Sequence, residues 1–225
     1  MPDPQARPPR VLLVDDDALV RGALRTILGA AGVDVVGEAG DGAGVADLAR
    51  ERRPDVVLMD LRMPGVDGVT ATARIRALPE PPEVLVLTTW EVDDAVIRSI
   101  RAGASGFLLK STAPGDIVAA VRAVAAGDAV LSPESARAVV ERLRADEGAD
   151  QRRRALELVG RLTDRERAVA ERVSLGETNA EIGLALHMSA GTVKQHLSAI
   201  VDKLGVTGRV LIAAVMVRAG FGPRW

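Results

Sequence analysis

The chain contains no cysteine. Disulfides, thiolate metal sites and cysteine nucleophiles are therefore excluded. It has two histidines, His187 and His196, and both lie far along the chain from its main carboxylate signals. A histidine-built metal centre or a Ser-His-Asp triad is not expected. No segment reaches the ~18 uninterrupted apolar residues of a membrane span. The first residues carry no signal-peptide pattern. The expectation is a cytoplasmic protein that does not engage a membrane. Lysine is scarce as well: of 29 basic residues only Lys110, Lys194 and Lys203 are lysines. Where arginine supplies almost every positive charge, those three positions are candidates for special roles.

What is present is enough apolar sequence for a proper core, 48% of 225 residues, in one large domain or two smaller ones. The net charge of −2 is unevenly spread. Residues 1–131 hold 14 basic and 19 acidic side chains, net −5; residues 132–160 hold 6 and 6, net 0; residues 161–225 hold 9 and 6, net +3. An acidic first half and a mildly basic tail point to the tail as the part that meets nucleic acid.

In the first half, four apolar runs each end on a polar signal. Val11-Leu12-Leu13-Val14 leads into Asp15-Asp16, and Val56-Val57-Leu58-Met59 into Asp60. Val84-Leu85-Val86-Leu87 leads into Thr88, and Phe107-Leu108-Leu109 into Lys110. Strands are predicted near 10–14, 33–38, 55–59, 83–88 and 106–109. Helices are predicted near 18–31, 42–52, 68–78, 93–103 and 114–126. This alternation implies a parallel sheet covered on both faces. Ligands bind such sheets at the carboxyl ends of the strands, so the four signals should meet in space. Asp60 is the candidate nucleophile, since a carboxylate attacking phosphorus gives an aspartyl phosphate. Asp15 and Asp16 beside it form an all-oxygen set suited to Mg²⁺. Lys110 can reach the phosphoryl group as a compact charge on a flexible stem, and the Thr88 hydroxyl can donate to a phosphoryl oxygen.

Residues 128–160 read as a linker, partly helical, with a helix start at Ser132-Pro133-Glu134. From Leu162 four short helices are predicted. Thr163-Asp164-Arg165-Glu166 is a capping box. A helix near 179–186 and one near 190–204, joined by His187-Met188-Ser189, fit a helix-turn-helix. Along 190–204, Val193, Leu197, Ile200 and Leu204 form an apolar stripe. Lys194, Gln195 and Ser198 fall on another face near the end that enters a major groove. The last helix, Val210 to Ala219, is apolar on more than one face, more than a small four-helix domain can cover.

Two resemblances follow from these residues. VLLVDDDALVR, DVVLMDLRMPGVDG, VLVLTTW and AGASGFLLKS, in that order, make residues 10–127 similar to a response-regulator receiver domain of flavodoxin-like, five-stranded fold. The segment from LTDRERAVAERV to KLGV makes residues 161–223 similar to an all-α LuxR-type (NarL/FixJ) helix-turn-helix domain. The first resemblance implies that a sensor histidine kinase phosphorylates Asp60. It implies that Mg²⁺ is held by Asp16, Asp60 and the backbone carbonyl of Arg62, with Asp15 acting through water. It assigns phosphoryl sensing to Thr88, Phe107 and Lys110. Trp90, two residues beyond the threonine, would flank the water path to the acyl phosphate. The second implies DNA contact by Thr192, Lys194, Gln195 and Ser198. It implies homodimerisation of the phosphorylated protein through Val210, Leu211, Ala214, Val215 and Arg218. Three features depart from the families: Ser111 follows Lys110 where proline and a cis peptide are common, Arg172 replaces a core leucine, and Ala199 replaces a basic residue. The expected function is a phosphorylation-dependent transcriptional regulator that is not itself an enzyme. A regulator that uses its receiver only to dimerise is disfavoured by the complete Asp15-Asp16-Asp60-Thr88-Lys110 set. An Asp-nucleophile phosphatase wants a second aspartate at position 62, where arginine stands.

Overall fold

The computed structural model describes residues 7–89, 94–129 and 149–221. Trp90 and the start at Ser132 lie outside the described residues. The first half alternates β1 (Arg10–Val14), α1 (Ala18–Ala30), β2 (Asp34–Ala39), α2 (Val45–Arg52), β3 (Val56–Asp60), α3 (Gly68–Arg76), β4 (Glu83–Thr88), α4 (Asp94–Arg101), β5 (Gly106–Leu109) and α5 (Pro114–Ala125). The strands form one parallel sheet in the order β2-β1-β3-β4-β5.

The hydrophobic runs are continuous because the central strands are covered on both sides. Side chains alternate between the two faces. Val11, Leu13, Val56 and Leu58 pack on α1 and α5, against Leu28, Ile117 and Val121. Leu12, Val14, Val57 and Met59 pack on the opposite side, against Val45, Ala49, Ala71 and Ile75 of α2 and α3. Register then sets the site. Val14 lies opposite Met59, Asp60 opposite Leu87, and Thr88 opposite Leu109. The residues one step beyond these pairs are Asp15, Asp60, Thr88 and Lys110, so they emerge side by side on one edge.

Among the described residues the tail has five helices: α6 (Ala149–Val159), α7 (Asp164–Ser174), α8 (Asn179–Leu186), α9 (Ala190–Leu204) and α10 (Arg209–Arg218). The last third of the expected linker is α6, whose Ala155 and Val159 enter the tail's core beside Val169, Ile200 and Met216. Thr163 and Thr178 each close a full capping box, with Glu166 and Glu181, and Ser189 caps α9 through the Thr192 N–H. Between α8 and α9 the chain reverses through His187, held at φ 54°.

Lys203, one of the three scarce lysines, has a structural partner: its ammonium contacts both oxygens of the buried Glu166, at 2.7 and 2.6 Å. Burial alone would raise the Glu166 carboxyl, but Lys203 and the Thr163 N–H outweigh it and hold it below the ordinary carboxylate value. The lowered value means the carboxylate stabilises the fold at neutral pH and loses that effect only as pH falls through its depressed value. Glu166→Ala is expected to cost about 1–2 kcal/mol, from the lost cap and the lost charged hydrogen bonds. An unchanged urea midpoint for the full chain would contradict this. Arg172 is accommodated by a two-pronged pair with Glu177, at 2.8 and 2.9 Å, which keeps its charge at the surface.

Helix α10 is apolar on several sides and is covered on several sides, as such a helix must be. Ile212, Val215 and Met216 face the tail's own core. Val210 and Ala214 instead join Val96, Ile97 and Ile100 of α4 and Phe107 of β5 in one buried cluster.

Candidate phosphoryl site and nucleic-acid surface

Asp15 and Asp60 are buried, at 2% and 6% exposure, while Asp16 is exposed. One carboxylate oxygen from each of the three falls within 4.8 Å of the others. The Lys110 ammonium lies 2.6 Å from Asp15 Oδ2 and 3.2 Å from Asp60 Oδ2. Lys110 is aimed by its own backbone, whose N–H donates to the Thr88 carbonyl at 2.7 Å as the β4–β5 ladder ends. Thr88 is buried beside it at 3% exposure. Among the described residues no peptide bond is cis, the one joining Lys110 to Ser111 included.

Electrostatics poise the site. Burial raises the Asp60 carboxyl above its ordinary value; Lys110 and the Arg62 backbone N–H pull it down, and Asp15 pushes it up. Burial would lower Lys110, but its contacts with Asp15 and Asp60 prevail and hold it above the ordinary lysine value. Two close carboxylates and one ammonium leave a net negative pocket. Asp15 Oδ2 is buried and lacks a well-formed hydrogen bond, although the ammonium approaches to 2.6 Å. Three oxygen-only donors this close together suit a hard divalent cation such as Mg²⁺.

Sequence reasoning missed Gly68. A Cβ at this first residue of α3 would lie 2.0 Å from the Asp60 carbonyl oxygen and 2.9 Å from the Leu61 Cα. Its N–H donates to the Leu61 carbonyl at 3.1 Å, so α3 closes directly over the loop that carries Asp60 and Arg62. The Gly in Val66-Asp67-Gly68 was visible in the sequence. The near-contact it permits depends on a tertiary approach.

In the tail, Lys194, Gln195 and Ser198 are exposed on α9, and Thr192 is half-buried with its hydroxyl 2.9 Å from that of Ser189. Of the apolar residues expected at a dimer contact, Val210 and Ala214 are covered by α4 and Val215 by the tail's core, while Leu211 is partly buried. Arg218 is half-buried. The two halves of the chain meet elsewhere too. The Thr207 hydroxyl donates to the Arg101 carbonyl at 2.9 Å. The Asn179 backbone N–H donates to Asp128 at 2.7 Å, and its side-chain amide donates to the Ala126 carbonyl at 3.2 Å. Phe107, to which the resemblance assigns phosphoryl sensing, is buried at 4% exposure, in the same cluster as the tail's Val210 and Ala214.

Fold and site together define a doubly wound carboxylate-and-lysine domain joined to a helix-turn-helix domain. Residues 11–122 match the response regulator receiver domain family, and residues 160–216 match the bacterial regulatory proteins of the luxR family. The chain is 40% identical over 206 residues to the transcriptional regulatory protein LiaR of Bacillus subtilis, covering 91% of this chain and 94% of that one. It is 36% identical over 213 residues to the uncharacterized transcriptional regulatory protein YxjL of the same organism, covering 94% and 96%. Among solved structures, the response regulator ChrA of a heme-sensing two-component system aligns over 96% of this chain and 100% of that one, with a TM-score of 0.52 at 33% identity. The chain belongs to the two-component response regulators that join a receiver domain to a LuxR-type DNA-binding domain, and so to a family of transcriptional regulators. No helix among the described residues is long and apolar enough to cross a membrane.

Proposed function

We propose that Asp60 accepts a phosphoryl group from a sensor histidine kinase, and that this acceptance frees the tail to dimerise and bind DNA. The observation that carries this reading is that one apolar cluster holds both Phe107, which lies on the strand leading into Lys110, and Val210 and Ala214 of α10. A change at the phosphoryl site therefore has a packed route to the helix that would dimerise.

In the transfer, an Asp60 carboxylate oxygen attacks the phosphorus of a phosphohistidine. A P–O bond forms, the P–N bond breaks, and the imidazole leaves with its electron pair. Mg²⁺, held by Asp16, Asp60 and the Arg62 carbonyl with Asp15 alongside, would neutralise charge on the transferring group. Lys110 gives up its ion pair with Asp60 and turns to a phosphoryl oxygen. The Thr88 hydroxyl donates to another. Thr88 and the chain around Phe107 then repack, and α4 no longer fits α10. The exposed α10 face pairs with that of a second copy, which matches a paired DNA site by its two-fold symmetry.

Burial of Asp60 adds a pH dependence to this reading. A carboxyl raised above its ordinary value keeps its proton to higher pH and is a poorer nucleophile while protonated, so labelling by a small phosphodonor rises with pH through the raised value. Mass spectrometry after treatment with the phosphodonor and Mg²⁺ tests the acceptor assignment. No mass gain, under conditions that label another receiver, would favour a regulator that works without phosphorylation.

Lys194 is assigned to a DNA contact near the start of α9. Lys194→Ala is expected to weaken binding of the phosphorylated protein and, for a phosphate contact, to reduce the salt slope by about one. Fluorescence anisotropy across a salt series reads both. Unchanged affinity at matched salt would remove Lys194 from the interface.

A further inference from the structure

Asp128 sits three residues past the end of α5, fixed by its own N–H to the Ala123 carbonyl at 3.0 Å and by that of Gly127 to Val124 at 2.8 Å. From there its carboxylate crosses to the tail. It accepts the Asn179 N–H, the first free donor of α8, at 2.7 Å. It also lies 3.6 Å from the guanidinium of Arg209, whose side chain is only 10% exposed. Arg209 is further held by the Asn179 side-chain oxygen and the Glu177 carbonyl. Glu181, the other acid at this helix end, is turned back onto Thr178. Beside Asp128, the recognition-helix residue Lys194 lies against Gly127, so closely that a Cβ there would fall 2.7 Å from its Cε and 3.4 Å from its Nζ.

One acceptor anion thus meets a helix N-terminus, a buried guanidinium and the neighbourhood of a lysine. All three belong to the helix-turn-helix half of the molecule. In such domains the first helix crosses the nucleic-acid backbone while the second enters the groove. Helix N-termini, backbone N–H groups and Arg or Lys are the usual partners of phosphate oxygens. Gln195 and Ser198, on the base-reading part of α9, stay exposed. Asp128 therefore occupies Asn179 and Arg209 on the backbone-facing edge of the tail, with the exposed Lys194 beside it, and the base-reading face stays open.

We propose that Asp128 stands in for a DNA phosphate, so that the receiver and the nucleic-acid backbone compete for the edge formed by Asn179, Arg209 and Lys194. Any duplex then acts as an opening ligand of the closed protein, because it binds only the state in which Asp128 has left. The apparent affinity of the unphosphorylated protein is reduced by the fraction of molecules that are open. Removing the Asp128 charge raises that fraction without touching Asp60. The inference rests on the DNA-binding reading of the tail but not on phosphoryl transfer.

The test uses the full unphosphorylated chain, without phosphodonor, and a generic duplex, since backbone contacts do not depend on sequence. Asp128→Asn, which keeps the shape, and Asp128→Ala, which removes the group, are both expected to bind about tenfold tighter than the wild type, on the order of one decade of closed-state bias. Asp116→Asn makes the same charge change on an exposed part of α5 and is expected to stay within about twofold of wild type. Circular-dichroism melting identifies any variant that fails to fold, and the other Asp128 variant then decides. Equal affinity of wild type and the folded Asp128 variants overturns the proposal, as does an Asp116→Asn gain as large as theirs. Failure of Asp60 to label would leave this result standing, so the two readings fall separately.

Discussion

Asp60→Ala is expected to abolish the rise in DNA affinity that a small phosphodonor and Mg²⁺ produce in the wild-type chain. The loss should be complete rather than partial. Asp60 is the buried carboxylate at the centre of the strand-end edge, with Asp15 and Lys110 on either side. Asp16 is exposed and serves the cation in the proposed site, and Asp15 is already engaged with Lys110 at 2.6 Å. Neither replaces an acceptor that ends β3. The variant keeps the Asp15–Lys110 contact, so its receiver is expected to fold and to stay closed on α10. Its affinity without phosphodonor should match the unphosphorylated wild type. Anisotropy titrations with and without phosphodonor measure both. DNA affinity that still rises with phosphodonor in Asp60→Ala would sink the mechanism, because the signal would then enter elsewhere.

Much of this was legible in the chain itself, and the reason is periodicity. Strand ends are marked by where an apolar run stops, so the sequence alone puts Asp15, Asp60, Thr88 and Lys110 on one edge. Capping residues did the same for the tail, where Thr163, Thr178 and Ser189 start the helices that were expected. The excess apolar surface of α10 was also readable. What covers it was not. Dimerisation was the natural expectation, and the structure shows α4 of the same chain on Val210 and Ala214. That contact joins residues more than a hundred positions apart and leaves no local pattern. Lys203 could be singled out as one of three lysines, but its partner could not be named, for a related reason. A lysine late in a helix looks solvated until the fold brings Glu166, a capping residue of another helix, to within 2.6 Å. Asp128 escaped notice because a lone aspartate after Gly127 reads as a turn, and its partner lies across a domain boundary.

Gly68→Ala is expected to damage stability and phosphoryl acceptance together. The added methyl would meet the Asp60 carbonyl oxygen at 2.0 Å, the Asp60 carbonyl carbon at 2.9 Å and the Leu61 Cα at 2.9 Å. All three are backbone atoms, so no side chain can swing aside. Left-handed geometry is not the reason for glycine here, since Gly68 is absent from the positive-φ positions among the described residues. The requirement is closeness alone. Helix α3 must retreat or the β3–α3 loop must bend. Either movement breaks the Gly68 N–H to Leu61 bond and strains Thr72, which is fully buried and donates to the Gly68 carbonyl at 2.7 Å. Overpacking of this kind costs about 3 kcal/mol or more when the neighbours cannot yield. The same shift moves the Arg62 N–H that donates to the Asp60 carboxylate, and with it the carbonyl proposed to hold Mg²⁺. A displacement of about 1 Å costs catalytic geometry on the order of a hundredfold, so labelling should slow even in molecules that remain folded. Urea denaturation gives the first effect, and the rate of phosphodonor labelling per folded molecule gives the second. A wild-type midpoint with a wild-type rate would show that the loop has slack at Asp60. The close approach of α3 would then have no part in shaping the site.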